Sequence, residues 1–352
     1  MENLYYQNFS ELNFEDAFFD SLKADYSEFN DWLYKKAESG EKAYVLYDNR
    51  GQIEGFLYLK IEHDVVTDVN PNLSYGRHLK VGTFKFNSTG TRRGERFIKK
   101  IFDHAIQEKA DDIYVTVFDK HNYLMNLFCK YGFEIHGRKE TQNGVENVLL
   151  RDFSVNKGDL LKNYPRIQTN GVNKYILSIY PAFHSRMLPD SILNNESHDL
   201  IQDISHANSI HKIYLSAMDG ISYFNPGDII ITYRTSDKKG PADYRSVATS
   251  VCVVEESRNI GDFPTLEAFL KYAQSYSIFT QEELIGFYNS KKYPYIVRFT
   301  YNAALSNRII RKRLIEEVGM LRGAYWGVLG ISDSQFAQIL ELGAVDESII
   351  IN

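Results

Sequence analysis

The sequence predicts an α+β protein of two domains, residues 1–155 and 165–352. Apolar residues alternate between helical and strand spacing over the first 153 residues, and a polar segment follows at residues 154–165. Beyond this segment strand patterns separated by turn residues dominate, which is typical of a small β-barrel with helical insertions. With 352 residues, 43% of them hydrophobic, the chain can bury two cores.

The first domain is predicted to begin with helices and a hairpin. Residues 14–37 carry apolar side chains at helical spacing and form one or two helices. The core candidates of this segment are Phe18, Leu22, Phe29, Trp32 and Leu33. Strands at 42–47 and 53–61 then flank Asp48-Asn-Arg-Gly51, a favourable turn sequence for a hairpin.

Residues 79–133 form the most informative part of the chain. An apolar strand from Leu79 to Phe86 leads through a basic loop into an amphipathic helix that follows Glu95. A second strand at 112–118 precedes a helix that ends at Lys130-Tyr-Gly-Phe133. Strands at 134–139 and 145–153 are predicted to complete the domain.

The loop between the first strand and its helix has the properties of a phosphate site. A helix start offers unpaired N–H groups and the positive end of the helix dipole, and glycine lets the backbone close around an anion. Arg92, Arg93 and Arg96 add positive charge at the same place. An ordinary strand-to-helix turn with solvated arginines explains the same residues.

Taken together, residues 10–153 resemble the GNAT family of acyltransferases in the order of their strands and helices. The match rests on the loop, where Gly94 aligns with the last glycine of the family's pyrophosphate-binding pattern, and on Lys130-Tyr-Gly-Phe133. Arg92 and Thr89 stand where the family has a glycine and a glutamine or arginine. The resemblance implies a mixed sheet with flanking helices, and acetyl-CoA as co-substrate.

The resemblance also implies which residues contact acetyl-CoA. In the family, the strand before the loop pairs with the pantetheine arm, the loop holds the pyrophosphate, and a tyrosine on the later helix protonates the leaving thiolate. That tyrosine position is Phe128 here, and a phenyl ring cannot donate a proton. The implied cofactor-binding residues are Phe84, Lys85, Phe86, Gly90, Thr91, Arg92, Arg93, Gly94, Glu95, Arg96 and Phe128.

Candidates for the missing acid lie near Phe128 in the sequence. Tyr131, Tyr123 and His121 carry protons that could reach a thiolate. Each also has a structural interpretation, because Tyr131 suits a core or rim position and His121 suits a helix start. The base that accepts the amine proton is not identified; its candidates are Glu54, Glu62 and Asp64.

The second domain is predicted from strands and turns. Strands at 175–180, 211–216, 229–234, 244–254 and 293–301 combine with helices at 264–276, 281–287 and 333–342, and residues 181–205 are mostly helical or irregular. The turn Asn225-Pro-Gly-Asp228 before an apolar strand is similar to PUA-like barrels, including the ASCH and EVE groups. Those families commonly bind RNA or modified bases. A simple tight turn explains Gly227 and Asp228 equally.

Charge bears on the nucleic-acid hypothesis. The net charge is −6 and the isoelectric point is about 5.9, so the chain as a whole is not a polycation. The candidate contacts for nucleic acid are Arg308, Arg311, Lys312 and Arg313. A solvated helix face is the alternative, because Glu316 and Glu317 follow directly. Tyr325 and Trp326 could stack on a base or could close a core.

Composition sets further expectations. Two cysteines, Cys129 and Cys252, indicate neither a disulfide framework nor a metal set, which suits the cytoplasm. His198, His206 and His211 lack the spacing of paired metal ligands, so no metal site is predicted. No apolar run is long enough to cross a membrane, and we expect a soluble, intracellular protein.

Three functions are compatible with these observations. The first is an acetyl-CoA-dependent N-acetyltransferase whose acceptor is RNA or is linked to RNA. The second is a nucleic-acid-binding protein with an inactive domain that senses acetyl-CoA. The third is an acetyltransferase for a small amine or a protein, with the second domain as a scaffold.

Overall fold

The computed structural model describes residues 3–87, 93–188 and 209–351. The chain divides into two compact units, residues 1–163 and 164–352. The division falls inside the polar segment at 154–165 that the sequence marks as a linker. No described helix combines the length and the apolar character that crossing a membrane requires.

The first unit is a seven-stranded mixed sheet flanked by helices, in the strand order β1-β2-β3-β4-β5-β7-β6. Its strands are β1 Asn3–Asn8, β2 Lys42–Tyr47, β3 Ile53–Val66, β4 Leu73–Phe86, β5 Asp112–Phe118, β6 Glu134–Thr141 and β7 Gly144–Asp152. Its helices are α1 Asp20–Asp25, α2 Phe29–Glu38, α3 Arg93–Gln107, α4 Asn122–Lys130 and α5 Leu160–Asn163. Neighbouring strands run antiparallel except β4 and β5, which are parallel.

The sequence predictions for this unit are largely confirmed. The two early helices, the hairpin, β5 and the last pair of strands lie where the patterns placed them. Strand β1 was not predicted, and β4 begins at Leu73, six residues before the predicted start. Strand β1 pairs with β2 from Asn3–Tyr47 to Asn8–Lys42 and forms one edge of the sheet. Its sequence has no clear alternation of apolar and polar residues, so the pattern did not indicate a strand.

Both faces of the sheet are covered because the flanking helices are amphipathic. Helix α3 buries Phe97, Ile98, Ile101 and Phe102. A methyl group at Gly55 of β3 would lie 2.4 Å from Phe97, so glycine at this position permits the close approach of α3. A second cluster, which includes Phe9, Phe19, Phe29, Leu33 and Phe56, joins α1 and α2 to the sheet.

The second unit contains a six-stranded sheet in the order β10-β13-β12-β11-β9-β14. Its strands are β9 Lys174–Ile179, β10 His211–Ser216, β11 Ile229–Arg234, β12 Val247–Asn259, β13 Tyr295–Ile310 and β14 Val328–Ile331, and a separate pair joins β8 Ile167–Gln168 to β15 Ile350–Ile351. Its helices are α6 Pro181–Met187, α7 Ala242–Arg245, α8 Leu266–Ala273, α9 Gln281–Ser290, α10 Arg311–Glu316 and α11 Asp333–Leu342.

Two predictions for the second unit need correction. Tyr244 was placed at the start of a strand but lies in α7, because the chain turns at Pro241 and the strand begins at Val247. The strand predicted at 293–301 continues to Ile310 as β13, so Arg308 lies in a strand and only Arg311, Lys312 and Arg313 of the basic run are helical. In the described residues β10 and β14 pair with one neighbour each, so the closed barrel stays a prediction.

Helix starts in this unit follow local sequence rules. Thr280 Oγ1 accepts a hydrogen bond from the N–H of Glu283, and the Glu283 carboxylate accepts one from the N–H of Thr280. Ser332 and Gln335 form the same reciprocal pair at the start of α11. These capping boxes explain why the pattern Ser/Thr-x-x-Glu/Gln predicts both starts.

Candidate active site between strands β4 and β5

Strands β4 and β5 separate after a short parallel ladder. They pair only from His78–Asp112 to Val81–Val115, although β4 continues to Phe86 and β5 to Phe118. The second halves of the two strands therefore face a gap instead of each other. Strand edges that lack a neighbour present backbone N–H and C=O groups to whatever enters the gap.

A β-bulge at Gly82 accompanies the separation. Tyr58 of β3 pairs with Thr83, and Leu59 pairs with Val81, so Gly82 is an extra residue in β4. A methyl group at Gly82 would lie 2.7 Å from Cδ1 of Tyr58, which makes glycine the residue that fits this position. A bulge leaves its extra residue outside the ladder and bends the strand, and bulges are frequent beside active sites.

The gap is a cleft of about 280 Å³. Strand β4 contributes residues 80–84 and β5 contributes residues 115–118 to its walls. The remaining walls come from the α1–α2 segment, the start of α4 and the β6–β7 hairpin. Their lining residues are Leu22, Asp25, Tyr26, Glu28, Phe29, Trp32, His121, Leu124, Lys139, Thr141, Asn143 and Glu146.

Tyr26 and Glu146 meet in this cleft across 120 residues of sequence. The hydroxyl of Tyr26 donates a hydrogen bond of 2.7 Å to Oε1 of Glu146. Glu146 is 3% exposed, and the Tyr26 ring lies 5.3 Å from the ring of Phe118. Burial and the hydrogen bond to Glu146 raise the pKa of Tyr26 well above its ordinary value, so the hydroxyl stays protonated at neutral pH.

The segment that carries Tyr26 is held over the cleft by the β6–β7 turn. The side-chain amide of Asn143 donates to both oxygens of Glu28, at 3.0 and 2.9 Å, and Gln142 donates to Oε2 of Glu28 at 3.0 Å. Bonds from Asn143 and the backbone lower the pKa of Glu28, which therefore stays ionised. The β6–β7 turn Gln142-Asn-Gly144 thus connects the two walls of the cleft.

The start of α3 lies directly after the open edge of β4. Nη1 of Arg93 lies 2.6 Å from Oε2 of Glu54 and donates to the carbonyl of Asn87 at 2.9 Å. The Arg93 side chain is 6% exposed, so its charge serves a buried ion pair. Gly90, Thr91 and Arg92, which the sequence also assigns to acetyl-CoA, lie outside the described residues.

The other predicted residues at this helix start are also buried. Oε1 of Glu95 accepts a hydrogen bond of 2.7 Å from Lys130, and Arg96 is 2% exposed. A methyl group at Gly94 would lie 2.8 Å from both Phe86 and Leu127. The glycine that aligns with the GNAT pattern therefore allows β4, α3 and α4 to approach closely.

Of the strand residues assigned to acetyl-CoA, Phe84 lines the cleft. Phe84 also lies 5.4 Å from Phe86 and 5.7 Å from Phe128, ring to ring. The Lys85 side chain points to the α1 region, where its ammonium donates to Ser21 at 2.7 Å. Phe128 is fully buried against Phe84 and Phe133 and does not line the cleft.

The three predicted catalytic residues lie in different places. Tyr131 is fully buried at the end of α4, and Tyr123 is 66% exposed beside Phe86. Neither lines the cleft. His121 does, with Nε2 3.2 Å from Oδ2 of Asp25, and its side chain makes no capping bond to α4.

Two of the three candidate bases from the sequence have side chains engaged elsewhere. Glu54 pairs with Arg93, and Glu62 accepts hydrogen bonds from Lys60 and Tyr114. Asp64 contributes a backbone carbonyl to His78. Sequence reasoning missed Tyr26 and Glu146, because no local spacing links residues so far apart.

The predicted nucleic-acid residues belong to the second unit. Arg313 forms an i,i+4 pair with Glu317 at 2.5 and 2.8 Å, and Lys312 lies 3.9 Å from Glu316. Arg311 covers the ring of Trp326 at 4.9 Å and donates to the carbonyl of Arg322. Arg308 donates to the carbonyl of Leu305 at the end of β13. The i,i+4 pairs of Lys312 and Arg313 are typical of a solvated helix face, which is the alternative to nucleic-acid contact.

Tyr325 and Trp326, the aromatic pair that follows this basic run, differ in their exposure. Tyr325 is 68% exposed, whereas Trp326 is 9% exposed and lies 5.2 Å from Tyr233.

Of the three histidines considered for metal, His211 is buried and its Nδ1 lies 2.7 Å from Glu255, while His198 and His206 lie outside the described residues. The described part of the chain contains no group of three potential metal ligands.

Comparison with known proteins gives structural likeness only. No family model and no curated protein matches the chain. Among solved structures, the chain is similar to a GNAT family acetyltransferase from Elizabethkingia anophelis with acetyl-CoA bound, at 11% identity and a TM-score of 0.29, over 42% of this chain and 96% of that one. It is similar to NAA60 of Arabidopsis thaliana in complex with a bisubstrate analogue, at 12% identity and a TM-score of 0.31, over 43% and 95%. A mutant of ZmASCH from Zymomonas mobilis is similar at 8% identity and a TM-score of 0.31, over 48% and 95%.

Proposed function

We propose that the first unit is an acetyl-CoA-dependent N-acetyltransferase that transfers the acetyl group directly to an amine. The observation that carries this proposal is the separation of β4 and β5 beside the bulge at Gly82. A pantetheine arm is extended and carries two amides. It can therefore add to the open edge of β4 as a further strand does.

This position brings the thioester to the cleft. A backbone N–H near the bulge supplies the kind of donor that stabilises an oxyanion when an amine attacks the thioester carbonyl. The start of α3, one short loop after β4, supplies the positive end of a helix dipole for the pyrophosphate. Because Arg93 is engaged by Glu54, we assign the phosphate contact chiefly to backbone donors of the loop.

The binding part of the proposal is tested by calorimetry with acetyl-CoA and with CoA. The catalytic part is tested by the release of free CoA thiol when an amine is added. We expect micromolar to millimolar affinity, the range that enzymes commonly show for substrates. A protein that does not bind acetyl-CoA would refute the proposal.

One observation favours a second function, an acetyl-CoA sensor. Phe128 aligns with the family's acid by the sequence resemblance, and its ring is enclosed by Phe84 and Phe133. A domain without an acid could bind the thioester and not transfer its acetyl group. Tight acetyl-CoA binding without thiol release, across a panel of amines and RNA, would favour this function over catalysis.

The RNA-linked acceptor and the PUA-like second domain are proposals that rest on the sequence. The support is the basic run 308–313 with the exposed Tyr325. Salt-sensitive retention of an RNA oligonucleotide by the full chain is the test, because phosphate contacts weaken steeply with salt. Replacing Lys312 and Arg313 with Gln should reduce the retention if these residues contact phosphate.

A further inference from the structure

We infer that Glu146 accepts the proton of the acceptor amine, that Tyr26 positions the Glu146 carboxylate, and that the acceptor is a cationic alkyl amine. The inference rests on the proposed acetyl transfer and names its proton acceptor and its substrate class. It concerns a pair of residues that is brought together only by the fold.

The geometry of Glu146 suits a proton acceptor. Its side chain is 3% exposed and lines the cleft, and Oε1 accepts the hydrogen bond from Tyr26. Among the described residues, the structure records no donor to Oε2. A carboxylate with one oxygen fixed and the other available at a cleft is placed to receive a proton from a bound group.

Tyr26 cannot be the base because burial and its bond to Glu146 raise the pKa of its hydroxyl. It acts as a positioning residue: the hydroxyl fixes the rotation of the carboxylate, and Phe118 supports the ring. Phe118 and Glu146 are also register partners in β5 and β7, so the carboxylate and the ring that supports Tyr26 are both anchored on strands, while Tyr26 itself directly follows α1. Sites on strands hold their geometry more closely than sites on loops.

The charges of the cleft indicate the acceptor class. Asp25, Glu28 and Glu146 lie on the wall formed by the α1–α2 segment and β7, and the charge of Asp25 is paired with Lys120. The two lysines that line the cleft face carboxylates: Lys80 lies 3.5 Å from Glu62 and 3.6 Å from Asp68, and Lys139 pairs with Asp68. Glu28 and Glu146 form no ion pair among the described residues, so the wall beside Tyr26 keeps a negative charge, which attracts an ammonium group and opposes the phosphates of RNA.

The same wall offers apolar contact for the rest of the acceptor. The rings of Phe29 and Trp32 are stacked 5.3 Å apart and line the cleft. An alkyl ammonium ion could thus place its carbon chain against these rings and its nitrogen beside Glu146. Aromatic faces also attract cations directly.

The reaction balances with these groups. Glu146 takes one proton from the ammonium, and the neutral amine nitrogen then forms a bond to the thioester carbon. The C–S bond breaks, and its electron pair leaves on sulfur as thiolate. The nitrogen loses its second proton, which neutralises the thiolate, and Glu146 returns its own proton to the solvent. The products are the N-acetyl amine, CoA thiol and one proton.

The experiment compares an alkyl amine with an arylamine, using 1,4-diaminobutane and aniline, and follows the release of CoA thiol. The alkyl amine is charged at neutral pH and needs a base before attack, whereas aniline is already neutral. The variant Glu146→Gln should lose about 10²- to 10⁴-fold in kcat/KM with diaminobutane. It should lose far less with aniline, and its acetyl-CoA affinity by calorimetry should equal that of the wild type.

Glu140→Gln is the matched control, because Glu140 is an exposed carboxylate on the neighbouring strand β6. Tyr26→Phe keeps the ring and removes the hydroxyl, and should give an intermediate loss that is again larger with diaminobutane than with aniline. If Glu146→Gln failed to fold, this difference between the two amines in Tyr26→Phe would still test the positioning role.

The outcomes separate the inference from the proposed function. Absence of acetyl-CoA binding by the wild type overturns the proposed function and this inference with it. An active wild type with Glu146→Gln equal to Glu140→Gln overturns only the inference. Faster acetylation of an RNA oligonucleotide than of any alkyl amine overturns the acceptor class.

Discussion

His78 and Asp112 form a buried pair between β4 and β5, with Nδ1 of His78 2.8 Å from Oδ1 of Asp112. The two residues are also the first partners of the parallel ladder. Nε2 of His78 lies 3.0 Å from the carbonyl oxygens of Asp64 and Ser74. Both ring nitrogens thus face acceptors, and only the doubly protonated imidazolium donates at both.

The first prediction is a pH dependence of stability from this pair. Burial alone would lower the pKa of His78, but the hydrogen bond and charge of Asp112 outweigh burial and raise the pKa. Since the folded-state pKa lies above the unfolded value, the stabilisation is complete below about pH 6.5 and is lost as pH rises through the folded-state pKa. Urea denaturation of wild type and His78→Gln from about pH 5 to 9 should show a difference that shrinks with rising pH.

The control for the pH series is His63→Gln, which removes an exposed imidazole from the neighbouring strand β3. A stability difference between wild type and His78→Gln that stays constant or grows as pH rises would contradict the imidazolium assignment. The series also reports on the β4–β5 ladder, because the pair joins the two strands at the end of the ladder opposite to the cleft.

The second prediction concerns the bulge. Gly82→Ala places a methyl group 2.7 Å from the Tyr58 ring, whose hydroxyl accepts a hydrogen bond from Lys36. Either the ring or β4 must shift, so the free energy of unfolding should fall by about 1–3 kcal/mol. If the bulge also holds the thioester, kcat/KM for acetyl-CoA should fall further than the stability change explains.

The matched control for the bulge is Gly330→Ala in β14, where a methyl group meets no atom within 4 Å. We expect Gly330→Ala to change the free energy of unfolding by less than about 0.5 kcal/mol. Unchanged thiol release by well-folded Gly82→Ala protein would argue against a catalytic role for the bulge.

The third prediction concerns the contribution of the Arg93–Glu54 ion pair to stability. The Arg93–Glu54 pair is largely buried, and Glu54→Gln removes the carboxylate charge that lies 2.6 Å from the guanidinium. The free energy of unfolding should fall by about 3 kcal/mol, measured by urea denaturation.

Glu317→Gln breaks the exposed Arg313–Glu317 pair and is the control, with a urea midpoint close to wild type. Equal effects of the two changes would contradict the buried-pair assignment.

Sequence patterns predicted the local elements and missed the contacts between distant ones. Strand β5 at 112–118 and helix α11 at 333–342 lie where the patterns placed them, because alternation and capping act within a few residues. The GNAT resemblance placed acetyl-CoA near β4 and α3. Tyr26 and Glu146 escaped detection because their contact depends on how α1 and the β6–β7 hairpin meet across the sheet.

The last prediction concerns Phe128, where the GNAT resemblance implies a tyrosine. Phe128→Tyr would introduce the tyrosine that the resemblance implies, but the Phe128 ring is fully buried, 4.8 Å from Phe133 and 5.7 Å from Phe84. A new hydroxyl in this apolar cluster should cost about 1–3 kcal/mol of unfolding free energy. We expect no gain in kcat for thiol release, since Phe128 does not line the cleft. Phe14→Tyr adds the same atom at a half-exposed ring beside Tyr34 and is the control for stability. An increase in kcat with Phe128→Tyr would show that the position retains the acid's geometry, and would then favour the sensor function for the natural chain.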